Sequence, residues 1–397
     1  MVTLMILTYQ YRLLPSKRQH RALESLLESQ RQLYNAALEE RIGAYRRGIS
    51  RSYVDQTKAL TEWRQSDLDA AAVPLAVQRA TLKRLDEAYK GFFRRTKNKA
   101  AKAGFPRFRG KGWWDSFGFR EFSGISLQGA RLCFKGMPGG LKVHLHRPLV
   151  GENRIRSCTV RHDTKGWKIG LAVEVQAAAP RGGKRTIGVD LGITRFAALS
   201  DGGFIPSLKA ARRAERRLRI AQRALARKRP GSVNRRKVRA DVARCHAVTA
   251  RRRLNHLHQA AARLVRDYDV VALEALKVNG LARSALARDV HDAAWAKFIS
   301  LLRYKAEKAG VLLVEVDPRN TSQDCSGCGA RVSKGLKERQ HECPRCGLSM
   351  DRDLNAARNI LDRAGVRPGL HNVAGCGMRA GGNLITIEPR KCACGTN

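Results

Sequence analysis

The sequence predicts a multidomain α+β protein with a polyanionic partner, and three observations support this. The length of 397 residues suggests about two or three domains. With 43% hydrophobic and 28% charged residues, the chain has enough apolar side chains for packed cores, which argues against wholesale disorder. Its 77 Lys and Arg residues exceed its 34 Asp and Glu residues, so the net charge is +43. This excess is unusual for a metabolic enzyme and favours nucleic acid as the partner.

The N-terminal part changes from a strand to helices and then to short strands. Residues 1–15 begin with an alternating strand, and residues 16–103 carry apolar side chains at spacings typical of amphipathic helices. We expect one helix to start at Ser16 and another after Pro74. Residues 104–180 contain short alternating segments divided by Gly-rich turns, which predict a small β-barrel or sheet.

From residue 181 onward, the order of the predicted elements indicates an α/β domain. The expected strands are Thr186–Asp190, Ile193–Leu199, Val270–Leu273 and Val311–Val316, followed or separated by helices over about 208–266 and 293–309. A last helix is expected from Asp353, and the tail from residue 366 is Gly-rich, unpatterned and expected to be mobile.

Residues 208–266 predict a basic helical hairpin that is broken at Pro230-Gly231. Between Lys209 and Arg266 there are 20 Lys and Arg residues and two acidic residues, a net charge of +18. The apolar stripe is narrow and consists of Leu254, Leu257, Ala261 and Leu264. Most of the hairpin surface is therefore expected to be guanidinium groups in solvent.

Four of the ten cysteines form two Cys-x-x-Cys pairs, Cys325/Cys328 and Cys343/Cys346. In a reducing compartment this spacing is typical of one tetrahedral Zn²⁺ held by four thiolates. Such a site leaves no open position for catalysis, so a structural zinc ribbon is predicted over residues 320–349.

Other potential metal ligands lie close to this cluster and in the tail. His341 is an alternative ligand that could replace one thiolate. The simpler interpretation is that its side chain contacts the thiolates without binding zinc, or lies in solvent. Cys376, Cys392 and Cys394 are expected to be unpaired thiols rather than a second site.

Three acidic residues stand at the ends of apolar segments in a chain where acids are scarce. Asp190 ends Thr-Ile-Gly-Val-Asp, Glu274 ends Val-Val-Ala-Leu-Glu, and Asp353 precedes the last helix. Each one alone could be a cap, a turn residue or an arginine partner. Three converging carboxylates would repel one another without cations. Together they predict a site with two Mg²⁺ ions for phosphodiester cleavage.

The third acid is a choice between Asp351 and Asp353. Both would lie on one face of an extended backbone. Asp353 is preferred, and its alternative role is the N-cap of the last helix.

Cations that could contact phosphates are concentrated in two segments, 83–111 and 209–266. In the first segment, aromatic side chains interleave with the cations. The predicted nucleic-acid-binding residues are Arg107, Arg109, Lys111, Arg212, Arg213, Arg216, Arg235, Arg236, Arg251, Arg252 and Arg253. The possible stacking rings are Phe92, Phe93, Phe105, Phe108, Trp113 and Trp114, of which Phe92 and Phe93 could instead be core positions.

Several motifs along nearly the whole chain resemble the TnpB (OrfB) family of transposon-encoded RNA-guided nucleases, which is related to type V CRISPR effectors. They are Tyr11-Arg-Leu-Leu-Pro-Ser-Lys, Gly104-Phe-Pro-Arg-Phe-Arg-Gly-Lys, Gly188-Val-Asp-Leu-Gly-Ile, Leu273-Glu-Ala-Leu, Asn320-Thr-Ser-Gln-Asp-Cys-Ser-Gly-Cys-Gly and Asp351-Arg-Asp-Leu-Asn-Ala-Ala-Arg-Asn-Ile. The last two are specific in combination.

The resemblance implies a helical recognition domain inserted in a wedge β-barrel, followed by a RuvC α/β domain of RNase H-like fold that a zinc ribbon interrupts. The implied bounds are 1–15 and 104–180 for the wedge, 16–103 for recognition, 181–319 and 350–365 for RuvC, 320–349 for the ribbon, and 366–397 for the mobile tail.

The resemblance also implies an Mg²⁺-dependent DNA endonuclease with one structural zinc. Its partners would be a guide RNA from the transposon end and double-stranded target DNA beside a short adjacent motif, with both strands cut by one RuvC site. It supports Asp190, Glu274 and Asp353 as the metal ligands, because in related effectors the ligand is the acid two before the Asn. A cytoplasmic protein of a prokaryotic cell, nucleoid-associated when DNA-bound and without a membrane partner, is expected.

Two other functions remain open from the residues. One is a transposase proper, which would join as well as cut DNA, although a zinc ribbon between the second and third acids argues against it. The other is a guide-RNA-dependent repressor that binds without cutting. Loss of one acid would mark the repressor, and all three acids are present.

Overall fold

The computed structural model describes residues 4–98, 103–150, 154–276, 287–335, 338–365, 378–381 and 384–387. This part of the chain forms two compact units, one of residues 4–175 and one that begins at Gln176. The predicted linker at Pro180 lies just after the boundary. None of the helices described has the length and apolar character needed to cross a membrane.

The first unit combines one sheet with a group of helices. Its elements are β1 (Leu4–Leu14), α1 (Lys17–Arg46), α2 (Tyr53–Ser66), α3 (Leu68–Ala72), α4 (Leu75–Lys97), β2 (Ser116–Phe119), β3 (Ile125–Gln128), β4 (Arg131–Phe134), β5 (Leu141–His144), β6 (Ile155–Asp163) and β7 (Gly166–Gln176). All four of the described helices lie between β1 and β2 in the chain, so the helical segment interrupts the β region.

The seven strands of this unit form a nearly closed barrel. Their order is β2-β6-β7-β1-β5-β4-β3. Phe134 on β4 lies 6.1 Å from Phe117 and 5.4 Å from Phe119 on β2, measured between ring centroids. These contacts bring β2, at one end of the strand order, close to β4, the last strand but one at the other end. Alternate residues of β7 are buried, which is the period of two expected for a strand with one face in a core.

The helices of the first unit include two that the sequence pattern did not reveal. Helix α1 starts after Ser16, whose side chain and that of Gln19 form a capping box, and α4 starts after Pro74, as expected. Helices α2 and α3 lie between them. Helix α2 buries only Gln56 and Leu60, so it has no apolar stripe to detect.

The second unit contains the predicted α/β domain and the cysteine-rich segment. Its elements are β8 (Thr186–Leu191), β9 (Arg195–Leu199), β10 (Phe204–Pro206), α5 (Ala210–Ala226), α6 (Val233–Asp267), β11 (Val270–Glu274), α7 (Ala287–Ala293), α8 (Trp295–Ala309), β12 (Leu312–Val316), β13 (Gln340–Glu342), β14 (Ser349–Asp351), α9 (Arg352–Arg363), β15 (Met378–Gly381) and β16 (Leu384–Ile387).

The main sheet of this unit has the order β10-β9-β8-β11-β12-β16-β15. Strands β8, β11, β12 and β16 run parallel, and β9, β10 and β15 pair antiparallel with their neighbours. Apolar residues of α6 and α8 pack on one face. Ile360 of α9 and Ala364, the C-cap of that helix, pack on the other face, against Val270 and Ala272. Helices therefore cover both faces of the sheet.

The tail contains regular structure that the sequence did not predict. Within residues 366–397, β15 and β16 form two strands, and β16 pairs in parallel with β12 through Leu384 opposite Leu313. The expectation of an unpatterned tail is therefore wrong for these eight residues, because Leu-Ile-Thr-Ile is a β-forming run hidden by Gly-rich flanks. Cys376, Cys392 and Cys394 lie outside the described residues.

The basic hairpin of α5 and α6 is exposed over most of its length. None of residues 211–256 is buried, whereas Leu257, Ala261 and Leu264 lie in the core near the end of α6. Leu254, which was assigned to the same apolar stripe, is 38% exposed. The stripe is thus one turn shorter than predicted.

Candidate active site

Two adjacent parallel strands place Asp190 and Glu274 side by side. In the pairing of β8 with β11, Val189 lies opposite Leu273 and Gly188 lies opposite Ala272. Asp190 and Glu274 are the next residues along each strand, so they lie at one level on neighbouring strands, about 4.8 Å apart in the backbone. Because side chains alternate, both acids share the face of Gly188 and Ala272, which α9 covers.

Helix α9 brings Asp353 to the same place. It packs so tightly on β8 that a Cβ atom on Gly188 would lie 2.0 Å from the carbonyl oxygen of Ala357. Asp353 lies one helical turn before Ala357 and on the same side of the helix. Asp190 lies two residues after Gly188 on the same side of the strand. The glycine therefore permits the approach that sets Asp353 over Asp190.

The carboxylates at this site repel one another. Burial holds the pKa of Asp190 well above its usual range, and the charges of Glu274 and Asp353 raise it further. Burial also raises the pKa of Glu274, although the hydroxyl of Thr321, which donates to Oε1, acts in the opposite direction. A set of carboxylates whose charged forms are disfavoured is suited to hard cations, which prefer oxygen ligands.

The structure separates the roles of the two nearby aspartates. Asp351 is the N-cap of α9, and its Oδ1 accepts hydrogen bonds from the backbone N–H groups of Asp353 (2.9 Å) and Leu354 (3.3 Å). Its Oδ2 accepts a bond of 3.0 Å from Arg195. Asp351 therefore fills the N-cap role that was the alternative role considered for Asp353. Asp353 has a more distant cationic neighbour, Arg339, at 3.8 Å.

The four cysteines converge as their spacing predicts. Their Sγ atoms all lie within 4.8 Å of one another, with 3.6 Å between Cys325 and Cys346 and 3.6 Å between Cys328 and Cys343. Tetrahedral thiolates around one zinc ion would be about 3.8 Å apart. A hydrogen bond from the backbone of Cys346 lowers the pKa of the Cys343 thiol to about 6. The backbone of Leu348 lowers the pKa of Cys346, but hydrogen bonds with the thiols of Cys328 and Cys343 raise it to about 12, so the fit to zinc rests on the positions of the four Sγ atoms. The cluster fits a structural zinc.

His341 is not part of this group of thiols. It is fully buried on β13, its Nδ1 contacts Lys334, and its Nε2 has no hydrogen-bond partner among the described residues. In the described part of the chain, no three carboxylates have oxygen atoms as close together as the four cysteine Sγ atoms.

Most of the predicted phosphate-binding cations are available. Nine are exposed: Arg107, Arg109, Lys111, Arg212, Arg213, Arg216, Arg236, Arg251 and Arg252. The other two make internal contacts. Arg235 donates to the carbonyl oxygens of Leu225 (2.9 Å) and Lys228 (2.8 Å), and Arg253 pairs with Asp292 at 2.7 Å.

The aromatic side chains of the first basic segment divide into three classes. Phe93, Phe105, Phe108 and Trp113 are exposed, with Trp113 at 75%, and Phe92 is half-buried. Trp114 is buried, because its ring packs against Tyr34 and under the guanidinium of Arg84. Only the first class is available for stacking on bases.

Sequence reasoning missed three polar residues that support the acids. Thr321 contacts Glu274, and Asn355 and Asn359 on α9 bond to the segment that carries the first two cysteines. A signal was present, since two Asn residues four apart are unfavourable in a helix without partners.

Known proteins resemble this chain along nearly its whole length. Family profiles match residues 169–285 ("Probable transposase"), residues 295–360 ("Cas12f1-like, TNB domain") and residues 1–50 ("Helix-turn-helix domain"). A protein of Streptomyces pristinaespiralis named "Putative RNA-guided DNA endonuclease" is 33% identical over 405 residues, covering 98% of this chain and 97% of the relative. The chain belongs to the TnpB (OrfB) family.

Other similarities agree with TnpB membership. A protein of Escherichia coli (strain K12) named "Putative RNA-guided DNA endonuclease InsQ" is 27% identical over 354 residues, covering 83% of this chain and 84% of the relative. The fold is similar to that of Cas12f1 in a complex with sgRNA and target DNA, with a TM-score of 0.54 and 14% identity over 87% of this chain and 83% of that chain. In this TnpB chain, the part of the helix-turn-helix match that is described forms strand β1 and the single long helix α1.

Proposed function

We propose that this protein is an RNA-guided DNA endonuclease that cuts both target strands at one RuvC-type site formed by Asp190, Glu274 and Asp353. The observation that carries the proposal is the convergence of these three acids on two adjacent parallel strands and one helix, in a chain with a net charge of +43. The relatives named as RNA-guided DNA endonucleases support the activity. The order β10-β9-β8-β11-β12 supports an RNase H-like fold for this domain.

The three acids would hold two Mg²⁺ ions. When bound, such a pair supplies an activated water and stabilises the leaving oxygen of the phosphodiester. The residues of this chain do the rest. Asp190 and Glu274 present oxygens at one level of the sheet, and α9 sets Asp353 above them. The close packing at Gly188 keeps that helix in place.

The remaining parts have supporting roles in the proposal. The barrel and its helical insertion act as the wedge and recognition domains, and one zinc ion at the cysteine cluster stabilises the ribbon that leads into α9. A guide RNA from the transposon end pairs with the target strand, so the protein contacts phosphates and reads only a short adjacent motif. Exposed cations suit phosphates of either strand.

Cleavage of a plasmid that carries a matched target and adjacent motif tests the nuclease site. We expect Asp190→Ala and Glu274→Ala each to lose at least about a thousandfold in rate, and the double variant to lose little more, because the ligands act as a unit. Guide RNA and target binding, followed by gel shift, should survive. Cutting at the wild-type rate by either variant would disprove the site, and strand-transfer products would favour a transposase.

Salt dependence tests the proposed binding of phosphates by the hairpin. Replacing Arg212, Arg213, Arg251 and Arg252 with Gln should weaken binding without changing sequence preference. The slope of log K against log salt should become shallower by about 0.9 for each duplex phosphate that the variant no longer neutralises. Arg235→Gln is the matched control, because its guanidinium already bonds within the hairpin. An unchanged slope in the fourfold variant would show that these arginines face solvent in the complex.

A further inference from the structure

A short, partly buried segment lies between the cysteine cluster and the candidate nuclease site. It runs from Thr321 to Ser326 and includes Cys325, the first ligand of the cluster. Thr321 is 3% exposed, and its hydroxyl donates to Oε1 of Glu274. One end of the segment therefore contacts a carboxylate of the nuclease site, and the other end belongs to the cysteine cluster.

Helix α9 holds the same segment through two carboxamides. Asn355 is fully buried; its Oδ1 accepts from the backbone N–H of Ser326 (2.9 Å), and its Nδ2 donates to the carbonyl oxygen of Asp324 (2.8 Å). Asn359 donates from Nδ2 to the carbonyl oxygens of Thr321 (2.8 Å) and Asp324 (2.6 Å). These bonds use both polar atoms of the Asn355 carboxamide and both Nδ2 protons of Asn359.

The two asparagines lie on the same helix as Asp353. Asn355 and Asn359 lie on the helix that starts one residue before Asp353, and the helix packs on β8 through Ala357. Asparagine is a poor helix former, so two of them in a helix of 12 residues cost stability unless the bonds compensate. The helix thus contacts the sheet with one side and the 321–326 segment with another.

We propose that Thr321, Asn355 and Asn359 are positioning residues that couple the cysteine cluster to the nuclease site. Thr321 orients the carboxylate of Glu274, and the two asparagines fix the helix that carries Asp353 to the knuckle of Cys325. This proposal rests on the proposed function above. Groups that orient metal ligands typically change metal affinity or activity by about 10–100-fold when they are removed.

The first test uses Thr321→Val, which keeps the shape of the side chain and removes the hydroxyl, with Thr321→Ser as the variant that retains it. We measure cleavage rate as a function of Mg²⁺ concentration. Thr321→Val should raise the Mg²⁺ concentration for half-maximal rate about 10-fold or more, and Thr321→Ser should restore it close to wild type. A purely structural role would lower the melting temperature without moving this Mg²⁺ dependence.

The second test removes the clamp on α9. Asn359→Ala loses both bonds while improving helix propensity, and Asp362→Ala, an exposed change on the same helix, is the control. The Asn359 variant should need more Mg²⁺ for cleavage and should release zinc faster to a colorimetric chelator, whereas the control should match wild type in both. If Asn359→Ala does not fold, the Thr321 pair still decides the proposal.

Asp190→Ala, assayed in parallel, distinguishes failure of the proposed nuclease site from failure of the proposed coupling. If Asp190→Ala cuts normally, the nuclease site itself is wrong. If Asp190→Ala is inactive while Thr321→Val and Asn359→Ala keep the wild-type Mg²⁺ dependence and zinc release, only the coupling is overturned.

Discussion

The proposed nuclease site and the cysteine cluster are both sets of potential metal ligands, but they are assembled in different ways. The cysteines come from one stretch of 22 residues, 325–346, whereas the acids are spread over residues 190–353. Hydrogen bonding lowers the pKa of Cys343. For Cys346, the backbone bond from Leu348 lowers the pKa but is outweighed by hydrogen bonds with Cys328 and Cys343, which raise it. Burial raises the pKa of both Asp190 and Glu274. The cysteines therefore come together because one local segment folds, while the acid site depends on packing between distant elements to hold repelling groups together.

The largest expected effect separates Asp353 from Asp351. Asp353→Ala should abolish cleavage, with a loss of at least about a thousandfold. Asp351→Ala should retain most activity per folded molecule and lose about 0.5–2 kcal/mol of stability, because it removes a helix cap. Cleavage assays and thermal unfolding of both variants provide the measurement. An inactive Asp351→Ala beside an active Asp353→Ala would reverse the assignment and leave the mechanism intact.

A cysteine substitution tests whether the thiolate set acts through folding. Cys343→Ser should remove bound zinc and destabilise the ribbon, since a closed four-ligand site contributes folding energy and has no position for a reacting water. Elemental analysis of wild-type protein purified without chelators should find about one zinc per chain. A value near zero would disprove the zinc assignment.

A smaller change tests the packing that holds the acid site together. Gly188→Ala places a Cβ atom against the carbonyl oxygen of Ala357, and overpacking of this kind costs about 1–3 kcal/mol. We expect lower stability, slower cleavage and unchanged zinc content. Gly182→Ala is the control, because a Cβ atom there meets nothing within 4 Å. Equal stability of the two variants would show that α9 does not depend on this close packing.

Several features were predictable because they repeat locally. The period of three and four residues located α1 and α4, and the alternation of apolar residues located β7. Features without local repetition were missed. Helix α2 buries only one apolar residue, Leu60, together with Gln56, so it shows no repeating apolar stripe. Strand β16 becomes recognisable through its pairing with β12.

The sequence by itself determined the cysteine cluster and the basic hairpin, since both follow from spacing and composition within one segment. It also marked Asp190, Glu274 and an aspartate of Asp351-Arg-Asp353 as unusual. The tertiary structure decided which aspartate caps α9, that Arg235 and Arg253 are occupied internally, and that Thr321 reaches Glu274. The physical reason is that these outcomes depend on single hydrogen bonds, some between residues close in the chain, as for Asp351, and some between distant residues, as for Thr321 and Glu274. Such bonds leave no periodic signal in the sequence.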